Sequence, residues 1–146
     1  MGTTTKNHKK EIIRVLYEEV ANEGRLELLD DIARPDYVEH HPFPGASDGI
    51  AGLRERVSLL RAALSPHFTL EHVIADDDKV AVMWRNRGTQ LADWMGVPAT
   101  GKSFEIEGVD VYLFRDGLLA EHWHVVDVFS MLIQLGHIPA PAGASA

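Results

Sequence analysis

The sequence of 146 residues contains no cysteine, which excludes disulfide bonds and thiolate metal sites. No apolar run approaches the length of a membrane span, and the stretch MGTTTKNHKKEII lacks the apolar core of a secretory signal. Basic residues are also scarce, since 14 Lys and Arg stand against 22 Asp and Glu, for a net charge of −8. We therefore expect a cytoplasmic protein that binds neither nucleic acid nor a membrane.

The overall amino-acid composition is typical of a soluble globular domain. Hydrophobic residues make up 45% and charged residues 25% of the chain. The length suits a single domain, which we place at residues 1–137. The small-residue sequence PAPAGASA favours a flexible tail over residues 138–146.

The hydrophobic periodicity changes once along the chain, from helical to alternating. Helices are predicted over residues 6–22, 26–32, 49–64 and 128–135, and a brief extended segment over 37–41. Strands are predicted over residues 68–75, 79–89, 104–115 and 118–127, and Asp116-Gly117 is a hairpin signal between the last two. This order predicts an α+β domain with helices on one face of an antiparallel sheet.

Several motifs resemble those of one family. They are Asn22-x-Gly24 at the end of the first helix, Tyr37-Val38-x-His40, and the closing Glu121-x-Trp123-x3-Asp127-x7-Gln134-Leu135-Gly136. In this order they resemble the SnoaL-like polyketide cyclases of the nuclear-transport-factor-2-like superfamily. The resemblance implies a cone-shaped, strongly curved antiparallel sheet wrapped by the N-terminal helices, a pocket at its wide end, and a homodimer formed through the outer face of the sheet.

The resemblance also implies catalytic residues. Asp127 takes the position of an acid/base group that closes a ring by an aldol reaction without metal or cofactor. Asp110 stands where the cyclases have a pocket His, and Val109-Asp110-Val111-Tyr112 is similar to the proton-donating Asp of the superfamily's steroid isomerases. Tyr17 matches a tyrosine of those isomerases. The general base of the isomerases corresponds to His40 or His41 in this sequence.

Strand alternation gives Asp110 an apolar environment. It shares a face with Ile106, Gly108, Tyr112 and Phe114. Burial among these residues would raise the pKa of Asp110 and keep it protonated as an oxyanion donor. The simpler alternative is a strand carboxylate that pairs with an Arg or faces solvent.

Asp127 has two interpretations. It can face the pocket with Trp123, which shares its strand face, or it can cap the last helix, with Ser130 completing the local hydrogen bonding. Capping would lower the pKa of Asp127 and would suit a carboxylate that accepts a proton from carbon.

The remaining candidates are less specific. Tyr17 can be a core aromatic, and His40 and His41 can be loop residues of which only one reaches the pocket. Trp84 and Trp123 suit pocket walls and core equally. The predicted substrate-binding residues are Trp84, Trp123, Tyr112, Asn86, Gln90 and Phe114.

His122-x-His124 places two imidazoles on one strand face, as a zinc site would need. No third ligand is identifiable from the sequence. Strand alternation places His122 and His124 on the face opposite to Asp127, and therefore away from the predicted pocket. We expect no metal and no other cofactor.

The sequence thus predicts a cofactor-independent acid/base enzyme acting on a carbonyl-bearing, apolar small molecule, of the polyketide aldol cyclase type. Asp127 would move a proton at carbon, Asp110 and Tyr17 would stabilise the enolate oxygen, and His40 would assist. Two alternatives stay open. One is an isomerase, hydroxylase, dehydratase or epoxide hydrolase using the same pocket, and the other is a binding or dimerisation module without chemistry.

Overall fold

The structure, a computed structural model, describes residues 2–143 and has the predicted α+β fold. The helices are α1 (Gly2–Arg14), α2 (Leu29–Ile32), α3 (Gly49–Leu64) and α4 (Val128–Gln134). The strands are β1 (Ala33–Glu39), β2 (His67–Ala75), β3 (Lys79–Thr89), β4 (Ser103–Arg115) and β5 (Leu118–Val126). Within residues 2–143, no helix combines the length and the apolar character needed to cross a membrane.

One five-stranded sheet has the order β1-β5-β4-β3-β2. Strands β2 to β5 form the predicted antiparallel meander, and Asp116 and Gly117 both have the positive φ of a tight hairpin turn. The prediction of a wholly antiparallel sheet is wrong for β1, which pairs with β5 in parallel. Parallel neighbours need a long crossover connection, and α3 with strands β2 to β4 supplies it here.

The core lies between one face of the sheet and the helices. Strand β4 alternates cleanly, with Ile106, Asp110 and Tyr112 buried and Val109 exposed. Helix α3 directs Leu53 and Val57 into the same core. The inner face of the sheet therefore carries both the apolar core and a buried carboxyl group.

The first helix widens where it passes the sheet. Residues Val15–Ala21 form a π-helical segment, and the N–H of Asn22 donates to the carbonyl oxygen of Tyr17, five residues earlier, at 2.9 Å. In such segments each backbone hydrogen bond spans five residues instead of the four of an α-helix, and they are frequent at functional sites. Tyr17 lies in this segment.

Strand β5 contains a bulge near its start. Phe114 pairs with Leu119 but Leu113 pairs with Glu121, so Ala120 is an extra residue on β5. A one-residue shift of register moves every later side chain to the opposite face. As a result Asp110 faces His124 across the strands.

The predicted tail is only partly described. Residues 138–143 form neither helix nor strand. The remaining part of the predicted flexible segment, residues 144–146, lies outside the described residues.

Candidate active site

A cavity of about 150 Å³ lies between α3, the π-helical segment and the inner face of the sheet. Most of its wall is apolar and comes from residues such as Leu16, Leu53, Val57, Leu60 and Ile106. Its polar and aromatic groups are Tyr17, Phe43, Arg56, Phe68, Trp84, Asn86, Trp94, Asp110, Tyr112, His122 and His124. An apolar pocket with a few convergent polar groups is the usual form of a small-molecule site.

Asp110 is the centre of the polar groups. The residue is only 7% exposed, and its carboxyl group accepts hydrogen bonds from three side chains. Trp84 Nε1 donates to Oδ2 at 2.7 Å, His122 Nε2 lies 2.9 Å from Oδ1, and the Tyr17 hydroxyl donates to Oδ2. Gly108 makes room for the indole of Trp84, because a Cβ there would lie 2.3 Å from its ring.

The prediction of a raised pKa for Asp110 is wrong. Burial by itself raises the pKa of this carboxyl group, but the hydrogen bond and charge of His122, with the donors Tyr17 and Trp84, outweigh burial and lower it. Asp110 is therefore an ionised acceptor, and the protonated oxyanion donor predicted from the sequence is not what this environment favours.

The two tyrosines form a chain that ends on Asp110. The hydroxyl oxygens of Tyr17 and Tyr112 lie 3.0 Å apart. Because Tyr17 gives its hydrogen to Asp110, Tyr112 must give its hydrogen to Tyr17. Burial first, and then the charge of Asp110, raises the pKa of both phenols. Tyr17 and Asp110 were predicted to stabilise an enolate oxygen together, but in the structure the hydrogen of Tyr17 is used by Asp110.

His122 lies between two carboxylates. Its Nδ1 contacts Glu39 and its Nε2 contacts Asp110. Burial lowers the pKa of His122, but the two carboxylates outweigh burial and raise it. Burial raises the pKa of Glu39, but the hydrogen bond and charge of His122 outweigh burial and lower it to about 2. Glu39, His122 and Asp110 therefore form a buried anion–cation–anion row.

His124 lies beside this row and has no comparable carboxylate contact. Its Nδ1 is 3.7 Å from Glu39, and Arg56 Nη2 lies 3.2 Å from its Nε2. Burial lowers the pKa of His124 to about 4, with further lowering by the charges of Arg56 and His122. His124 is thus a neutral imidazole in the cavity wall at neutral pH.

A third potential metal ligand, absent from the sequence prediction, is Glu39. One ligand atom from each of Glu39, His122 and His124 lies within 4.8 Å of the others. However, both nitrogens of His122 contact carboxylates, and the Arg56 guanidinium lies against His124. A divalent cation would have to displace the proton of His122 and the charge of Arg56, so the donor set fits an ion pair network better.

The prediction that Asp127 faces the pocket is not met. Asp127 is exposed and caps α4, where its Oδ1 accepts a hydrogen bond of 3.1 Å from the Ser130 N–H. Hydrogen bonding from Ser130 lowers its pKa, as the capping interpretation predicts. The bulge at Ala120 is the physical reason, because it turns His122 and His124 inward and Trp123 outward.

The predicted base His40 also lies outside the cavity. Its Nε2 contacts Glu121 Oε1 at 2.8 Å, and its ring stacks on Trp123 with centroids 4.4 Å apart. His41 is exposed, and its Nδ1 accepts the backbone N–H of His124 at 3.1 Å. Neither histidine reaches the cavity, although His41 positions the backbone of one that does.

The predicted substrate-binding residues separate into two groups. Trp84, Asn86 and Tyr112 line the cavity. Trp123 lies on the outer side with His40, Phe114 is buried in the core, and Gln90 is buried after the end of β3, where its amide contacts Val97 and His137. The last three are therefore not part of the cavity wall.

Sequence reasoning missed Glu39, Arg56, Phe43 and the roles of both strand histidines. One signal for Arg56 was available, since it interrupts the apolar stripe of α3 between Leu53 and Leu60. Its guanidinium lies 4.5 Å from the centroid of Phe43. The contacts of Glu39 depend on the parallel pairing of β1 with β5, which no local pattern indicates.

The fold and the site define a domain of the nuclear-transport-factor-2-like type, with a mainly apolar pocket on the inner face of the sheet. The sequence model of the SnoaL-like polyketide cyclase family matches residues 11–135. The chain therefore belongs to this family.

Solved structures support the same assignment. TsrD from Streptomyces laurentii is 27% identical, with 94% of this chain and 99% of that chain covered and a TM-score of 0.80. IdmH, a proposed polyketide cyclase from Streptomyces antibioticus, is 31% identical, with coverages of 88% and 98% and a TM-score of 0.76. A proposed polyketide cyclase from Acidithiobacillus ferrooxidans is 35% identical, with coverages of 88% and 94% and a TM-score of 0.76. No curated protein matches the chain.

Proposed function

We propose that this protein catalyses proton transfer at a carbon next to a carbonyl group in an apolar small molecule of the polyketide type, with His124 as the general base. The observation that carries the proposal is the position of His124 in the cavity wall, beside Arg56 and the buried row of Glu39, His122 and Asp110. His124 replaces Asp127 and His40, because neither of those side chains reaches the cavity.

The proposed step balances within the site. A nitrogen of His124 takes the proton from carbon, the electrons of the C–H bond form the carbon–carbon double bond of an enolate, and the carbonyl π electrons move to oxygen. The Arg56 guanidinium exchanges its contact with His124 for a hydrogen bond to that oxygen and stabilises it, a role for which the hydrogen of Tyr17 is not free. The enolate carbon then attacks a second carbonyl carbon of the same molecule, and protonated His124 gives its proton to the new alkoxide. This is an intramolecular aldol closure.

The buried row supports His124 indirectly. Three donors hold Asp110, and its partner His122 lies next but one to His124 on β5. His41 fixes the backbone N–H of His124 from the other side. Asp110, Tyr17 and Tyr112 are therefore positioning residues, which hold the strand and its charges rather than touch the reacting carbon.

The proposal can be tested without the natural substrate. The carbon-bound hydrogens next to the carbonyl of 2-tetralone, an apolar bicyclic ketone, exchange with D₂O when a base removes them, and proton NMR measures the rate. We expect the wild-type protein to accelerate this exchange and His124→Ala to lose roughly 100-fold or more of the acceleration. Asp127→Asn is the matched control and keeps the wild-type rate. Equal rates for His124→Ala and the wild type would contradict the assignment.

A second candidate function is small-molecule binding without turnover. It is favoured by the buried row itself, because both nitrogens of His122 have partners within the protein. Saturable binding of 2-tetralone with no accelerated exchange, in either the wild type or His124→Ala, would select this candidate.

We also propose that the outer face of the sheet forms a homodimer interface. Val109 and Val125 oppose each other on that face and are 41% and 74% exposed. Light scattering should give a dimer mass for the wild type and a monomer mass for Val125→Lys. A monomeric wild-type protein would contradict this proposal.

A further inference from the structure

Two buried polar atoms in the cavity wall have no hydrogen-bond partner among the described residues. Asn86 is only 4% exposed and lines the cavity, and its Oδ1 has no hydrogen-bond partner among the described residues. Trp94 Nε1 is likewise buried in the cavity wall without a partner in residues 2–143. Buried polar groups are paired in the great majority of cases, so such a group in a pocket wall points to a ligand.

We infer that Asn86 forms a second subsite, which binds a hydroxyl group of the ligand remote from the reacting carbonyl. This inference rests on the proposed function and specifies its substrate class as a hydroxylated carbonyl compound. Asn86 Oδ1 accepts the hydrogen of the hydroxyl group. Trp94 Nε1 is a second unpaired donor in the wall of the same cavity and can donate to a ligand oxygen.

The register of the sheet separates this subsite from the Asp110 network. Asp110 pairs with Val82, and Asn86 lies four residues further along β3 on the same inner face. Four strand residues span about 13 Å. The indole of Trp84 lies between the two positions, because Trp84 pairs with Gly108 and reaches over it to Asp110. A ligand that uses both ends therefore has polar groups at its two ends and an apolar middle.

The wall around Asn86 is apolar in the part of the chain that the structure describes. Asn86 pairs with Ile106 on β4 and Phe68 on β2, and both side chains line the cavity. An unpaired buried amide destabilises the folded protein, whereas an apolar group of similar shape at that position is neutral or stabilising. The unpaired amide oxygen of Asn86 thus lowers the free energy of unfolding, and a hydrogen bond from a ligand hydroxyl group would offset this loss.

The test compares four ketones by calorimetry: 2-tetralone, its 6-hydroxy and 7-hydroxy derivatives, and 6-methoxy-2-tetralone. A methoxy group accepts hydrogen bonds but does not donate them, so it cannot satisfy Asn86 Oδ1. We expect at least one hydroxy compound to bind the wild type roughly three- to tenfold more tightly than 2-tetralone, and the methoxy compound to show no such gain.

Asn86→Leu should abolish the gain from the hydroxyl group while 2-tetralone still binds, and the variant should unfold at a temperature no lower than the wild type. Trp94→Phe should weaken the binding of the hydroxy and methoxy compounds alike. Trp123→Phe, on the outer side of the sheet, is the matched control and should change neither.

Three results would overturn the inference. They are equal affinities of the hydroxy compounds and 2-tetralone for the wild type, a gain that persists in Asn86→Leu, and no binding of any of the four compounds at millimolar concentration. The proposed function fails separately, because it requires accelerated deuterium exchange. A hydroxyl preference that depends on Asn86 would remain valid if the protein bound 2-tetralone without exchanging its hydrogens.

Discussion

Asp110 and Asp127 are the two carboxyl groups to which the sequence assigns chemistry, and the structure places them in opposite environments. Asp110 is buried on the inner face of β4, where Tyr17, Trp84 and His122 all donate to it. Asp127 is exposed and accepts the Ser130 N–H at the start of α4. Both have a lowered pKa. A lowered pKa therefore does not by itself distinguish a carboxylate in the cavity wall from a helix cap, whereas the set of donors does.

Removal of the Asp110 charge should have the largest effect. Asp110→Asn leaves the His122 cation with one carboxylate and places an amide among three donors, so we expect a loss of about 3–5 kcal/mol in the free energy of unfolding. Urea denaturation measures this loss. Asp127→Asn is the control with the same change of side chain. Losses of similar size in the two variants would show that the buried donors do not stabilise Asp110 more than the cap stabilises Asp127.

Gly108→Ala should have an intermediate effect, because it disturbs one donor of Asp110. The added Cβ would lie 2.3 Å from Cζ2 of Trp84, so the indole that donates to Asp110 must move. We expect a loss of about 1–3 kcal/mol and a shift in the tryptophan fluorescence. Leu59→Ala, at an exposed position of α3 outside the proposed dimer interface, should change stability by only about 0.5 kcal/mol. An unchanged free energy in Gly108→Ala would contradict the close packing of Trp84.

Asp127→Ala should have a smaller effect that is confined to α4. Loss of an N-cap side chain costs about 1 kcal/mol, and Asp127→Ser should recover most of it. The deuterium exchange of 2-tetralone should be unaffected in both variants. A loss of exchange in Asp127→Ser would instead support the sequence-based prediction that Asp127 takes part in the reaction.

The last prediction concerns the protonation of His124 and requires no substitution. Its pKa of about 4 lies below the ordinary value of 6.5, so unfolded chains take up a proton there as the pH falls from 6.5 to 4 while folded chains do not. The contribution of His124 to stability is therefore full above pH 6.5 and is lost as the pH falls through about 4. NMR of the imidazole signals should show this titration.

Arg56→Gln sharpens that measurement, because the charge of Arg56 comes after burial as a cause of the lowered pKa of His124. The pKa of His124 should rise towards its ordinary value in this variant. Arg85→Gln, which removes an exposed guanidinium paired with Glu71, is the matched control. No change in the titration of His124 on loss of Arg56 would contradict the contact between them.

The fold was largely predictable from local patterns. Helical spacing indicated the helix of Leu53 and Val57, and alternation indicated the buried face of β4 with Asp110 and Tyr112. The Asp116-Gly117 turn also forms as predicted. These features depend on neighbours in sequence, which is why periodicity and turn chemistry were sufficient to predict them.

The sequence predicted some residues of the candidate site but not others. One residue, Ala120, explains most of the residues that were predicted wrongly. A regular ladder from the Asp116-Gly117 turn would pair Asp110 with Trp123 and direct Asp127 to the same face. The bulge at Ala120 moves the pairing to His124 and so exchanges the two faces of β5. Nothing in the sequence around Ala120 distinguishes a bulge from a continuous strand. The alternation within β5 was predicted correctly, but the face that points inward was not.

The π-helical segment Val15–Ala21 has a similar consequence for helical geometry. An α-helix turns by about 100° per residue, so loss of one residue from this segment would rotate helix α1 by that angle relative to the sheet. Tyr17 and the carboxylate it contacts come from elements far apart in the chain. Deletion of a single residue from this segment would therefore keep the architecture and separate Tyr17 from the carboxylate of Asp110.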